Sequence, residues 1–189
     1  MKKLFACLAV VALSCVSVSA EELKSGLAAG EGIGAFQVVK VAGAEGDGLA
    51  EKGDQLCYRC KYGPRPQVMV FTRKTDGQVA ALTKELNTAV GANSEKKLAA
   101  FVNVLSADKA AAEKGAKDLA AHADVKNVPV VVPVESENGP ANYGLNPDAE
   151  VTVIIANKSK VVASMGFAAG KLDAAAVSEV LKQVKSSIE

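Results

Sequence analysis

The chain has no tryptophan, a single histidine and an aromatic content of 4 % in 189 residues. Its core must therefore come from valine, leucine, isoleucine and alanine, which suits an α/β domain. Charge of one sign is missing too. The 22 Lys+Arg stand against 21 Asp+Glu, and neither sign gathers in a run. That balance excludes the electrostatic footprint of a nucleic-acid or membrane-surface binder. Cysteine is equally sparse, with four in all, at positions 7, 15, 57 and 60.

The first two of these belong to a leader. Lys2 and Lys3 precede an apolar stretch over 4–18, and Val18-Ser19-Ala20 stands before Glu21 and Glu22. A positive start, a short greasy middle and small residues at the cleavage positions describe a secretory signal peptide ending at Ala20. The stretch is too short and too rich in Ala and Ser to span a bilayer comfortably. An amphipathic first helix is excluded because the stretch has no polar face, and Ala12-Leu13-Ser14 is a poor approach to a lipidated Cys15. The protein is expected to be exported to the periplasm or the exterior, with no membrane association after cleavage. Removing the leader leaves 189 − 20 = 169 residues and 20 Lys+Arg against 21 Asp+Glu, a net charge of about −1.

Residues 21–35 are small and Gly-rich, and a flexible lead-in is expected there. Its GEGIG has neither a preceding strand nor a following helix, so a phosphate loop is not supported. Residues 36–41, FQVVKV, alternate and read as a strand or hairpin arm. Residues 43–54 carry acidic side chains among glycines without calcium-ligand spacing and read as a solvated turn. The run QVMVFT is apolar and β-rich, and Pro64 and Pro66 forbid a helix from entering it, so a buried central strand is expected at 67–72. A helix follows, with Thr75 or Asp76 as cap and Val79, Leu82, Leu86 and Val90 on one face. LAAFVNVL at 98–105 reads as a strand covered on both sides, and 108–122 as an Ala-rich helix capped by Ser106. The strand at 128–134 contains Pro129 and Pro133, which suggests an irregular or edge position. Two strands at 150–156 and 160–165 are close enough for an antiparallel hairpin. A last helix begins at an Asp173 cap and buries Val177, Val180, Leu181, Val184 and Ile188.

The order from the central strand onward is thus β-α-β-α-β-β-β-α in one domain over 36–189, with no repeat. The strand QVMVFTR, its helix, the strand LAAFVNVL and the segment VPVVVPVESENGPANYGLNPDAEVTVIIANKSKVVASMGF together resemble the thioredoxin-like superfamily, in the version of peroxiredoxins and exported thiol-redox proteins. The resemblance covers roughly 36–188 by order of elements. It implies a thioredoxin-like α/β fold, a central mixed sheet flanked by helices, here with an N-terminal extension that carries Cys-x-x-Cys. In thioredoxins the Cys-x-x-Cys follows the first central strand and opens the next helix. In this chain Phe71-Thr72-Arg73-Lys74-Thr75-Asp76 stands there without a cysteine, and no proline directly precedes the hairpin strand.

The pair that is present, Cys57-Tyr58-Arg59-Cys60, lies about seven residues before the central strand, which on the family's fold is the opposite end of the sheet. In an oxidising compartment these neighbours tend to be bonded to each other. Two readings stand. In the first the pair exchanges electrons with a protein thiol or disulfide, with Cys57 attacking and Cys60 resolving, Arg59 and Lys61 (with Arg65) stabilising a thiolate, and Tyr58 and Tyr62 offering an aromatic contact surface. In the second the fold is a non-catalytic binding or structural module and the disulfide is a clip, although so short a loop constrains the unfolded chain little. Zinc would need two further ligands, and His122 is far away in a helix. Haem attachment would need a histidine where Lys61 stands. No cofactor or metal is expected, and the oligomeric state is not legible.

Overall fold

The computed structural model describes residues 23–75 and 77–189. The leader over 1–20 and the possible Asp76 cap lie outside these. In chain order the elements are β1 (Val38–Ala42), β2 (Gln55–Leu56), α1 (Tyr58–Tyr62), β3 (Gln67–Thr72), α2 (Gly77–Ala92), β4 (Ala99–Val104), α3 (Lys109–Ala123), β5 (Val130–Pro133), a 3-10 turn (Ala141–Tyr143), β6 (Ala149–Asn157), β7 (Lys160–Ala168) and α4 (Ala174–Ser187). One sheet holds every strand in the order β2-β1-β5-β4-β3-β6-β7.

The central strand is where the apolar run placed it. All six residues of β3 are buried, flanked by parallel β4 on one side and antiparallel β6 on the other. From β3 the chain steps to β4 and on to β5 in the same direction along the sheet. Two right-handed crossovers in one direction put both helices on the same face. α4 joins them there, so Val79, Leu82 and Leu86 of α2, Ala116 and Leu119 of α3, and Val180 and Val184 of α4 share one aliphatic core with Val68 and Val70. The other face carries Met69, Phe71 and Phe101 and has no long helix over it. Ile33, Leu56, Tyr58, Tyr62 and Tyr143, from short elements and loops, cover it.

Local chemistry accounts for the joints. Asp173 caps α4, accepting from the Ala176 amide at 2.8 Å, and Leu172 packs in the same core as Val177. The β6–β7 hairpin turns on Lys158 and Ser159, both at positive φ (52° and 62°), the conformation of a two-residue type I′ turn.

Several expectations are corrected. β5 is not at an edge: it lies between β1 and β4, because its prolines stand at its two ends and leave the middle residues free to donate. Pro129 precedes the strand, and Pro133 is its last residue. The cap of α3 is Asp108, which accepts from the Ala110 and Ala111 amides; Ser106 instead accepts from the Asp108 amide. The lead-in, expected to be flexible, is tied down from residue 23 onward. Leu23 bridges to Gly166 and Gly32 to Lys160 at the edge of β7, the Ser25 hydroxyl meets Thr152 at 2.6 Å, and Ile33 is buried. The turn over 43–54 is not merely solvated either, since it closes around the ammonium of Lys40, which is 3 % exposed.

Candidate functional site

The Cys-x-x-Cys pair sits where β2 leads into α1, just ahead of the N-terminal end of β3. Cys57 and Cys60 are joined as a disulfide with their Cα atoms 5.2 Å apart. Cys57 is the N-cap of α1 and its Sγ accepts from the Cys60 amide at 3.1 Å. The two residues differ in exposure: Cys57 is 7 % exposed, whereas Cys60 is exposed. Cys57 is the expected attacking residue, yet Cys60 is the more exposed of the two. The reason is the phase of α1, which turns Cys57, Tyr58 and Tyr62 inward and leaves Cys60 and Lys61 outward.

The tyrosines expected as a contact surface are core residues. Tyr58 is 1 % and Tyr62 7 % exposed, and both lean on Phe101 at centroid distances of 5.9 and 6.0 Å. Burial, with the Asp47 carboxylate adding to it, pushes both phenols well above the ordinary tyrosine value. Arg59 is turned to the lead-in: its Nε donates to the Ile33 carbonyl at 2.9 Å. Arg65 donates to the Tyr62 carbonyl at 3.1 Å and its guanidinium stacks 5.2 Å above the Tyr62 ring. Lys61 is exposed. His122 lies on the far part of α3, exposed, with Nδ1 2.7 Å from the Asp118 carbonyl. Among the described residues no cluster of His, Cys, Asp and Glu has the makings of a metal site, and no helix is long and apolar enough to cross a membrane.

Two supporting residues escaped the sequence reading. Lys40 donates from Nζ to the Ala44 and Ala50 carbonyls at 2.9 and 2.7 Å and lies 3.7 Å from Asp47, whose other oxygen is 3.5 Å from the Tyr58 hydroxyl. The loop over 43–54 is thereby fastened beside the pair. Strand alternation was the available signal, since Lys40 is in phase with the buried Val38. Gln67 is fully buried at the start of β3 and donates to the Gly63 carbonyl at 3.0 Å, tying α1 to the central strand.

At the other end of β3 the chain carries Arg73 and Lys74. The Arg73 amide donates to the Glu150 carbonyl at 2.9 Å, its Nη1 to the Glu137 carbonyl at 2.7 Å, and Lys74 pairs with Glu150 at 3.5 Å. A groove of about 520 Å³ opens nearby, lined by Ala107 and residues 135–141, 144 and 145.

The architecture is a thioredoxin-like fold, and comparison with solved structures bears this out. A thiol:disulfide interchange protein DsbE of Chlorobium tepidum superposes with a TM-score of 0.63 at 14 % identity, covering 86 % of this chain and 99 % of its own. Mycobacterium tuberculosis AhpC superposes at 0.58 with 16 % identity, over 85 % and 97 % of the two chains. A protein disulfide isomerase of Bacteroides thetaiotaomicron superposes at 0.55 with 15 % identity, over 86 % and 95 %. At such identities the likeness is one of fold. No protein-family model matches the chain, and no curated protein matches it in sequence.

Proposed function

We propose that this is an exported thiol-disulfide exchange protein that works through Cys57 and Cys60, with Cys60 as the sulfur that meets the substrate. The observation that carries the reading is the bonded pair with one cysteine exposed and the other buried. The thioredoxin-like fold supports it, as do the names of similar structures, which include a thiol:disulfide interchange protein and a disulfide isomerase. Export rests on the leader over 1–20.

A substrate thiolate attacks Cys60 Sγ in line with the disulfide. The Cys57–Cys60 bond breaks as the new bond forms, and the electron pair goes to Cys57 Sγ, which leaves as a thiolate facing the Cys60 amide that already donates to it. A second substrate thiolate then attacks the substrate sulfur of the mixed disulfide and releases Cys60. The two protein thiolates take up protons from water, the protein is reduced by two electrons and the substrate dithiol is oxidised. Run backwards, the same steps reduce a substrate disulfide, and the relative potentials set the direction.

The test is the reduction potential, measured in glutathione buffers with thiol trapping. A value between roughly −270 and −120 mV, the span of thiol-redox proteins, supports exchange. A value below about −300 mV makes the pair a structural clip and sinks the reading. The assignment within the pair has its own check. Cys57→Ser should accumulate a mixed disulfide at Cys60, whereas Cys60→Ser should trap none at the buried Cys57; the opposite pattern would return the attacking role to Cys57.

A further inference from the structure

We infer that the Cys60 face is a cationic docking surface for acidic polypeptides, so that the substrates are thiols or disulfides flanked by Asp and Glu. This rests on the exchange reading above and names its substrate class.

Three separate segments, α1 with Cys60, the lead-in and the β6–β7 turn, are bonded to one another. Arg59 in α1 donates to Ile33 of the lead-in at 2.9 Å. The Ile33 amide donates to Ser159 in the β6–β7 turn at 3.1 Å, and the Lys158 amide donates to Pro64, just after α1, at 2.9 Å. These bonds gather Arg59, Lys61, Arg65, Lys158 and Lys160 at one end of the sheet. Lys61, Lys158 and Lys160 are exposed, and the two arginines are half-buried.

Among the described residues none of these five cations lies within ion-pair distance of a carboxylate; the ion pairs present involve Lys40, Lys74, Lys114, Lys126 and Lys182. Several of the nearby carboxylates accept from backbone amides or pair elsewhere. Glu31 accepts from the Ala28 amide at 2.6 Å, and Asp47 lies between Lys40 and Tyr58. The mature chain is close to neutral, so an unpaired collar of five cations is a local concentration of charge. Glu135, Glu137, Asp148 and Glu150 stand toward the other end, about 20 Å of strand away. A field of this kind steers an anionic partner to the reacting atom and repels a cationic one.

The experiment measures the second-order rate at which the protein's disulfide is reduced by two peptides that share one Cys-Gly-Gly-Cys dithiol, one flanked by glutamates and one by lysines, with dithiothreitol as the uncharged dithiol. The glutamate peptide should react about tenfold faster or more at low salt, and the ratio should fall toward one near 1 M salt, where the screening length is about 3 Å. Lys158→Glu with Lys160→Glu should bring the ratio to one or below, and Lys160→Gln should lower it by less. Lys109→Glu, exposed at the start of α3, should leave it unchanged. If dithiothreitol reduces the pair but the peptides react at equal rates, or the double variant keeps the wild-type ratio, the inference is wrong while exchange stands. If no dithiol reduces the pair, both fall.

Discussion

The two faces of the sheet solve the same problem by different means. Under α2, α3 and α4 the buried core is aliphatic, with Phe167 only at its margin, and the cover is made of helices that satisfy their own backbone groups. The opposite face gathers Phe36, Phe71, Phe101, Tyr58, Tyr62 and Tyr143, and its cover is largely irregular chain. That chain has to find partners one at a time. Tyr143 donates to the Gly34 carbonyl at 2.7 Å, Arg59 to Ile33, and Ser164 to Leu27 at 2.7 Å. The large rings supply in area what the missing helices do not. The difference teaches where the chemistry can sit: the disulfide is built into the irregular face, in contact with the elements held most individually.

If the pair is coupled to the aromatic face and not to the aliphatic one, matched truncations should separate them. Phe101→Ala, at the meeting point of Phe36, Tyr58 and Tyr62, should cost about 4 kcal/mol in denaturant unfolding and also shift the Cys57–Cys60 potential. Leu119→Ala, fully buried on the other side, should cost about 3 kcal/mol and leave the potential where it was. Equal shifts from both would dissolve the distinction.

Lys40→Met should cost about 3 kcal/mol, since the Ala44 and Ala50 carbonyls lose their charged donor. Hydrogen exchange should quicken over 43–54 and α1 before it does in α2; protection unchanged beside the pair would mean the loop holds itself.

Gly166→Ala tests the strap over the edge of β7. A Cβ there would collide with the Leu23 carbonyl oxygen, a backbone atom that cannot swing aside. We expect a loss of about 2 kcal/mol and new proteolytic cleavage within 23–34. Gly34→Ala would instead press on the exposed Asn142 amide, which can rotate away, so little change is expected.

The gentlest test uses alkali. Tyr58, Tyr62 and Tyr143 all have phenols raised by burial above the ordinary value of about 10. The unfolded chain therefore releases these protons first as pH rises. Their stabilisation is complete below about pH 10 and is lost above it, at about 1.4 kcal/mol per pH unit for each phenol. The aliphatic core holds no titrating group, so Tyr143→Phe should reduce the slope measured by urea unfolding above pH 10. A slope identical to that of the wild type would remove Tyr143 from the account.

Much of the helical face was legible in advance. Val79, Leu82 and Leu86, and Val177, Val180 and Val184, recur at helical spacing, and Asp173 announces its helix by cap chemistry. β3 and β4 read as buried strands from continuous apolar runs. The aromatic face was not legible, because Phe36, the Tyr58–Tyr62 pair of α1 and Tyr143 come from three separate stretches. Nor did local pattern reveal that Pro129 and Pro133 frame an interior strand, which depended on β1 arriving beside it. The bonded pair, Cys57 and Cys60, could be named from its spacing, and Arg59 and Lys61 as its charged neighbours in sequence.

What the amino-acid sequence determined by itself was the set of elements, their order and the presence of a disulfide-forming pair, because periodicity, capping and Cys-x-x-Cys spacing act over a few residues. Only the tertiary structure decided which cysteine is exposed, where Arg59 points, how Lys40 is buried and which segments meet at the α1 end of the sheet. Those outcomes depend on contacts between residues far apart in the chain, such as Arg59 with Ile33 and Pro64 with Lys158, and such contacts are settled when the sheet closes and the loops find partners for their backbone groups.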